Sequence, residues 1–427
     1  MDRRNFIKAA GISSLVSTLP ASFQLYAAPE DYTGKFLINV QAEGGWDVTS
    51  FCDPKTNTAG EPEINHWARN AEIQQAGNLL YAPFAANAAF FDKYYRDILI
   101  INGVDAQTNS HTAGVIHNMS GRISEGFPSL TALFAAQNGT QMPIALINNG
   151  GFSDTGGLTR YTRIESINEL GNIIYPNVPR WAPDSNWVHT SDWQRIQNAR
   201  DERLASLNSE ANLTARQLRN RQNYRSSIDN AGILSDFASA FRNEDNIQGA
   251  VESGNFYSTF RRQIQTALLA MSSGVTVAAD LLHWGFDTHE NHDNDHNWLL
   301  TELTGALDYL WTYAEQLGVA DRLVVVVSSD FGRTNFYNEI NGKDHWPIGS
   351  YMVMERNQSY TNRSIGLTDE IHNTVAINPN THQADSSGSY IFPMHVMHEL
   401  RQYLQVDSLA TDNSFSLNPP ETFGFFS

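Results

Sequence analysis

A single cysteine, Cys52, stands among 427 residues. No disulfide can close within the chain, so stability must come from a large buried core. Cys52 itself, five residues after Asp47, reads as a small buried apolar residue rather than a ligand or nucleophile. Basic residues are also scarce: 28 Lys and Arg against 46 Asp and Glu give a formal net charge of −18. That field excludes nonspecific binding to nucleic acid and attraction to an anionic membrane, both of which need positive surface. It leaves room for a locally positive site. Long hydrophobic runs are missing too. Beyond the N-terminus no segment reaches the roughly 20 apolar residues of a membrane span, so no transmembrane segment is expected. Neither an internal repeat nor a low-complexity tract occurs.

The N-terminus has its own pattern. "DRRNFIKAAG" (Asp2 to Gly11) pairs Arg3 with Arg4 and leads into a weakly apolar stretch that ends in small residues near "YAA" (Tyr26 to Ala28). The order of basic pair, apolar run and small residues is that of a twin-arginine export signal over residues 1–28. Ser residues and Pro20 make the run too polar to anchor. The expectation is a mature chain, residues 29–427, that is periplasmic or secreted and exported already folded.

Six short apolar runs read as strands: Lys35 to Gln41, Asp97 to Gly103, Pro143 to Asn148, Gly274 to Leu282, Arg322 to Ser329 and Tyr351 to Glu355. They are rich in Val, Ile and Leu and do not alternate with polar residues, as expected of strands covered on both faces. Helical patterns lie between them. Asn297 to Gly318 carries Leu299, Leu303, Leu307 and Leu310 on one stripe, with Gly318 placed to end the helix. The succession predicts an α/β fold: a doubly wound, mostly parallel sheet flanked by helices. From about 191 to 270 the chain turns long, polar and helical, which reads as an insertion or cap over the sheet.

Open α/β sheets bind ligands beyond the carboxyl ends of their strands. Four of these strand ends run into acids, histidines or both. "AEGGWD" ends at Asp47. "VDAQTNSHTAG" brings Ser110, His111 and Thr112 to the start of a helix. "HWGFDTHENHDNDH" holds Asp287, His289 and His292. "SSDFGRTNFYNEINGKDHWPIG" holds Asp330, Arg333, Asp344 and His345. A mixed carboxylate and imidazole set suits zinc or manganese better than calcium, although calcium is compatible with the carboxylates. Two ions about 4 Å apart can hold both oxygens of a phosphoryl transfer. His283, His296, His372 and His382 read as surface or structural. Asp287 and His289, two apart, share a side if the chain leaves the strand extended; a helix starting at once would favour His292 instead.

The blocks "GGWD", "SH…SGR", "GFDTHENH" and "SSDFGRT…N…GKDH" resemble the DUF1501 family, which is related to the alkaline phosphatase and sulfatase superfamily. The resemblance spans nearly the whole mature chain, and its specific part is "GxDTH" with "SDFGRT…GxDH". It implies two metal positions, Asp47 and Asp330 at one, Asp287, a histidine of the next loop and His345 at the other. "NGKDHWPIGSYMV" looks like the "TDH…VP" stretch of phosphopentomutase-like members, which favours His345 over Asp344 as the ligand. The chain departs from the superfamily pattern twice. Asp330-Phe331-Gly332 stands where hydrolases often read Asp-His-Gly, so one ligand is missing. Counting back from "SGR" by the sulfatase spacing lands on His111, flanked by Ser110 and Thr112. His111 is then a replacement ligand, or one of the hydroxyls is a shifted nucleophile at a helix N-terminus.

These residues support a metal-dependent hydrolase of a phosphate or sulfate ester, with one or two divalent ions. The ligands would be Asp47, His111, Asp287, Asp330 and His345 with His289 or His292; the metal would activate Ser110, Thr112 or a bound water, and Arg333 would clamp the anionic ester oxygen. The substrate is an anionic ester, small or polymeric, and nucleic acid is not expected as a partner. The alternative is a non-catalytic module of the same fold that keeps a metal site. The ligands are expected to converge at one end of the sheet.

Overall fold

The computed structural model describes residues 32–427 except 153, 165–174, 180, 181, 183, 210–212, 230–233 and 235–257. The export signal expected over residues 1–28 lies outside them.

An eight-stranded sheet runs through the molecule. In chain order its strands are β1 (Phe36–Glu43), β2 (Ile98–Asp105), β3 (Leu146–Asn148), β4 (Tyr161–Thr162), β5 (Ala278–Trp284), β6 (Leu323–Ser329), β7 (Ile348–Met354) and β8 (Arg363–Ile365). Their spatial order is β8-β2-β7-β6-β1-β5-β3-β4. All pairings are parallel except those of β7, which runs against both β2 and β6. The six apolar runs of the sequence are six of these strands. The two that left no trace are the edge strands β4 and β8, of two and three residues, too short to show a period.

Burial explains the unbroken apolar runs. All seven residues of β6 are buried, and so are seven of the eight of β1. Each of Val324 to Val327 is covered on whichever face it points to, and each contributes about 1.5–3 kcal/mol over an exposed valine. Helices cover the faces: α1 (Asn87–Tyr94), α2 (His111–Ser120), α3 (Leu130–Asn138), α6 (Ser258–Ser272), α7 (His292–Gln316) and α8 (Pro393–Tyr403). The α7 stripe Leu299, Leu303, Leu307 and Leu310 is fully or nearly buried. Gly318, at φ 70, ends the helix in the left-handed conformation. The start of α7 differs from expectation. It begins at His292, not Asn297, because the "HDNDH" run forms its first turns, with His292 and His296 turned inward.

The polar stretch expected as a cap contains α4 (Thr190–Ser209) and α5 (Ala215–Asp229), which are joined by a bond from Arg221 Nη1 to the Leu207 carbonyl. The last part of the stretch belongs to the core. In α6, Phe260, Ile264 and Leu268 are buried, and Arg261 pairs with Glu302 of α7 at 2.9 Å.

The carboxyl ends of β1, β2, β5 and β6 lie on one rim. The segment after β6 returns to the same rim, because β7 runs the other way. Each cluster read from the sequence therefore opens at one end of the sheet.

Candidate metal centre

Two glycines bring the rim together. β1 ends at Glu43, and Gly44 and Gly45 follow at φ 114 and 90. A Cβ on Gly44 would sit 2.4 Å from the Asp287 nitrogen, and one on Gly45 would sit 2.8 Å from the Phe331 ring. Only glycine satisfies both the conformation and the approach. The turn is then pinned to the end of β6: Gly44 N donates to Asp330 Oδ2 (3.1 Å), and Gln41 Nε2 donates to Asp330 Oδ1 (3.0 Å). α2 crosses over the same point. Gly114 allows it, since a Cβ there would lie 2.3 Å from the Asp330 carbonyl, which also accepts from Asn118 Nδ2 at 2.9 Å.

This packing aims His111, at the first turn of α2, into the rim. Its Nδ1 lies 2.7 Å from Asp330 Oδ2 and its Nε2 lies 3.4 Å from Asp287 Oδ2. His289 Nε2 lies 3.0 Å from Asp287 Oδ1, and His345 Nε2 lies 3.2 Å from the same oxygen. The two Nε2 atoms are 2.9 Å apart. One donor atom each from His111, Asp287 and His345 lies within 4.8 Å of the others, and His289 stands against two of the three.

The outward nitrogens decide what the inward ones are. His289 Nδ1 is 2.7 Å from Asp344 Oδ1, and His345 Nδ1 is 2.8 Å from the Asn109 carbonyl. Every Nδ1 in the group faces an acceptor, so in the neutral ring each Nδ1 carries the hydrogen and each Nε2 carries a lone pair. Three lone pairs and the Asp287 carboxylate thus point at one another. Such an arrangement needs a cation or a proton at its centre. It is also how imidazole ligands are held, with the second nitrogen fixed by a carboxylate or a carbonyl. The hydrogen bond to Asp330 raises the His111 pKa above its ordinary value, against the opposing effect of burial. The donor set fits a divalent ion of the zinc or manganese type, with three nitrogens and one carboxylate.

The remaining sequence candidates take other places. Asp330, expected as a ligand, is buried behind His111 with both oxygens engaged, so it orients the imidazole instead of reaching the centre. Phe331 is 2 % exposed. Its ring packs 4.9 Å from that of His111 and 4.7 Å from that of His345, which walls off the back of the group. Arg333, expected to clamp an ester oxygen, is fully buried. Nε donates to the Gly45 carbonyl (2.8 Å), Nη1 to the Lys343 carbonyl (3.0 Å), and Nη2 to both the Gly44 carbonyl and Asp287 Oδ1, the latter at 2.5 Å. Its fork is spent on three carbonyls and one carboxylate, so it fixes the Asp287 orientation. Burial would raise the Asp287 pKa; the Arg333 bond outweighs it and holds the carboxyl below its usual range. Ser110 caps α2 without a side-chain cap bond. It and Thr112 are exposed beside His111.

Asp47 and His292 belong to a separate buried network. Asp47 Oδ2 accepts from Lys343 Nζ at 2.6 Å and lies 3.0 Å from His292 Nε2; Thr49 Oγ1 donates to Oδ1 at 2.6 Å. Asp47 N donates to His296 Nε2 at 2.7 Å, and Lys343 Nζ also reaches Asn65 Oδ1 at 3.1 Å. Asp47, His292, His296 and Lys343 are all fully buried. Burial alone would raise the Asp47 pKa, but Lys343 and then His292 hold it well below the carboxylate range. A lysine ammonium thus fills the position where a metal was expected. Lys343 and Asn109 were not singled out in the sequence; Asp344 was, as a ligand candidate second to His345. Asp344 stood out by its place in "KDH", directly before His345, whereas nothing local marked Lys343.

A family model described as a protein of unknown function, DUF1501, matches residues 35–400. The chain belongs to the DUF1501 family. No curated protein matches it. Among solved structures, this DUF1501 chain is similar to Ps i-CgsB in complex with k-i-k-neocarrahexaose, at 8% identity and a TM-score of 0.42 over 92% of this chain and 75% of that one. The lipoteichoic acid synthase LtaP from Listeria monocytogenes aligns at 12% identity and TM-score 0.36, over 99% and 80%. Alkaline phosphatase from the Antarctic bacterium TAB5 aligns at 9% and 0.33, over 88% and 99%.

Proposed function

We propose that the chain is an exported hydrolase of phosphate or sulfate esters that works with one divalent ion, zinc or manganese by preference. The observation that carries the reading is the convergence of three imidazoles on Asp287 with every Nδ1 already held by an acceptor. His111, Asp287, His289 and His345 would hold the ion. Bound there, it would supply Lewis acidity and an acidified water.

The surrounding residues would do the rest. Asp330, Asp344 and the Asn109 carbonyl fix the tautomers. Arg333 fixes the carboxylate. Phe331 keeps water from the back of the imidazoles. The hydroxyls of Ser110 and Thr112, at the N-terminus of α2 next to His111, are the candidate nucleophiles, and the helix end favours a negative oxygen beside them. The buried Lys343 argues for one ion over two, because a second cation would have to displace an ammonium already paired with Asp47. The helices α4 and α5, within the polar stretch read as a cap over about 191–270, would act as the specificity cap, and the Arg3-Arg4 segment as the export signal.

The same Lys343 favours a second reading, a module that binds one ion without hydrolysis. Elemental analysis of the purified chain tests the centre: about one zinc or manganese per chain is expected, and none would overturn both readings. Turnover of an aryl phosphate or aryl sulfate by the loaded chain separates the two. Turnover lost in His111→Ala supports the enzyme; none in the wild type leaves the module.

A further inference from the structure

Beside the centre lies a cavity of about 560 Å³, and His111 and Thr112 form its shared wall. The polar side chains on the rest of its lining are Gln41, Glu43, Glu125 and Asp154. Three are carboxylates. The fourth, Gln41, is 2 % exposed, and its Nε2 is already given to Asp330. Its Oε1 is buried and has no hydrogen-bond partner, and it lies where a Cβ on the lining residue Gly151 would come within 1.8 Å. A buried amide oxygen left unmet is destabilising until a donor arrives. No lysine or arginine is among the described lining residues, and Val115, Phe152 and Leu282 supply apolar surface.

We propose that this cavity binds the leaving group of the substrate and that this group is an organic cation, an ammonium or guanidinium on a small apolar frame. The inference rests on the hydrolase reading for the word substrate, but the site stands on its own lining. Carboxylates and an unmet carbonyl oxygen accept from a donor-rich cation, and Phe152 lines the same cavity beside them. An anionic leaving group would meet three carboxylates there, and among the described lining residues only Thr112 and main-chain N–H groups remain to donate to it. The anionic ester oxygens therefore face the centre, and the cationic end lies in the cavity.

Binding tests this without any turnover. Benzylammonium, benzyl alcohol and benzoate are titrated into the purified chain by calorimetry at neutral pH. The cation is expected to bind at least tenfold more tightly than the alcohol, and benzoate more weakly than either. Glu125→Gln and Asp154→Asn keep size and acceptor oxygens, and together they should cut the cation's advantage over the alcohol severalfold, leaving what Glu43 and Gln41 supply, while the melting temperature holds. Equal or tighter binding of benzoate, or cation binding untouched by the double change, would overturn the proposal. Tight cation binding in a chain that cleaves no ester would support the cavity and reject the hydrolase, so the two failures are separable.

Discussion

His111 bridges two carboxylates: its Nδ1 is 2.7 Å from Asp330 and its Nε2 is 3.4 Å from Asp287. One nitrogen is held from behind so that the other is presented forward. Asp330→Asn keeps the shape but can offer an amide N–H where the ring N–H requires an acceptor. It removes no ligand, yet metal affinity should fall about 10- to 100-fold, as for other residues that orient a ligand. Competition with a chromophoric chelator measures it. An unchanged affinity would mean that His111 needs no support from Asp330.

Lys343 and Asp47 form a fully buried pair at 2.6 Å. Lys343→Met leaves the carboxylate uncompensated and should cost about 3–5 kcal/mol of stability. Lys343→Met combined with Asp47→Asn should recover most of that loss, because no charge is then stranded. Urea unfolding of both variants decides. Asp47→Asn should also leave the metal count near one per chain; a fall to zero would return Asp47 to the ligand set.

Phe331→His would put a polar ring into the wall behind His111 and His345. With the site's own imidazoles already in place, the change should bring no added metal and should lower stability by about 1–3 kcal/mol, the cost of burying an unpaired polar group. Thermal melts and metal analysis of the same sample check both halves. A gain of one ion per chain would show that the wall is a vacant ligand position.

Asp280 lies in the middle of β5, bonded by Thr131 Oγ1 at 2.8 Å and Asn148 Nδ2 at 2.9 Å. Burial pushes its pKa up from 3.8 to about 7, against the two hydrogen bonds. The sign follows from the raised value. Below pH 3.8 both states are protonated. Between there and about 7 the unfolded chain ionises and the fold does not, so this residue's contribution is lost as pH rises, by roughly 1 kcal/mol per unit. Asp280→Asn should remove that slope. Denaturant curves at pH 5 and 7 for both chains test it, and parallel shifts in the two would refute the assignment.

The sheet was legible because β1, β2, β5 and β6 are buried on both faces, which forces unbroken apolar runs. The edge strands β4 and β8 carry too few residues to leave a pattern. In the site, Asp287 and His289 were legible as a pair because the chain stays out of helix until His292, so the first two share a side. His292 itself could not be placed without knowing that "HDNDH" begins a helix. Lys343 was not legible at all. In a polar loop a lysine reads as solvated, and only closure of that loop over Asp47 buries it. Arg333 misled for a related reason: its fork suits an ester oxyanion and a cluster of main-chain carbonyls equally well, and the sequence does not say which lies nearby.

Among the described residues β1 is the first strand of the sheet to be made, and it lies at the sheet's centre beside β6. It pairs with β5 and β6 on either side, and its Gln41 grips Asp330 across 289 positions of sequence. Contacts that distant form late, because the intervening chain must be closed first. On the ribosome the first strand therefore waits, without its neighbours, until most of the polypeptide has emerged. The imidazole cluster needs His345 as well, so it cannot exist on any shorter nascent chain. Under the proposed metal-bound reading, capture of an ion would be confined to a nearly finished molecule, and a chain truncated before His345 should leave the ribosome with neither a complete sheet nor the full imidazole cluster.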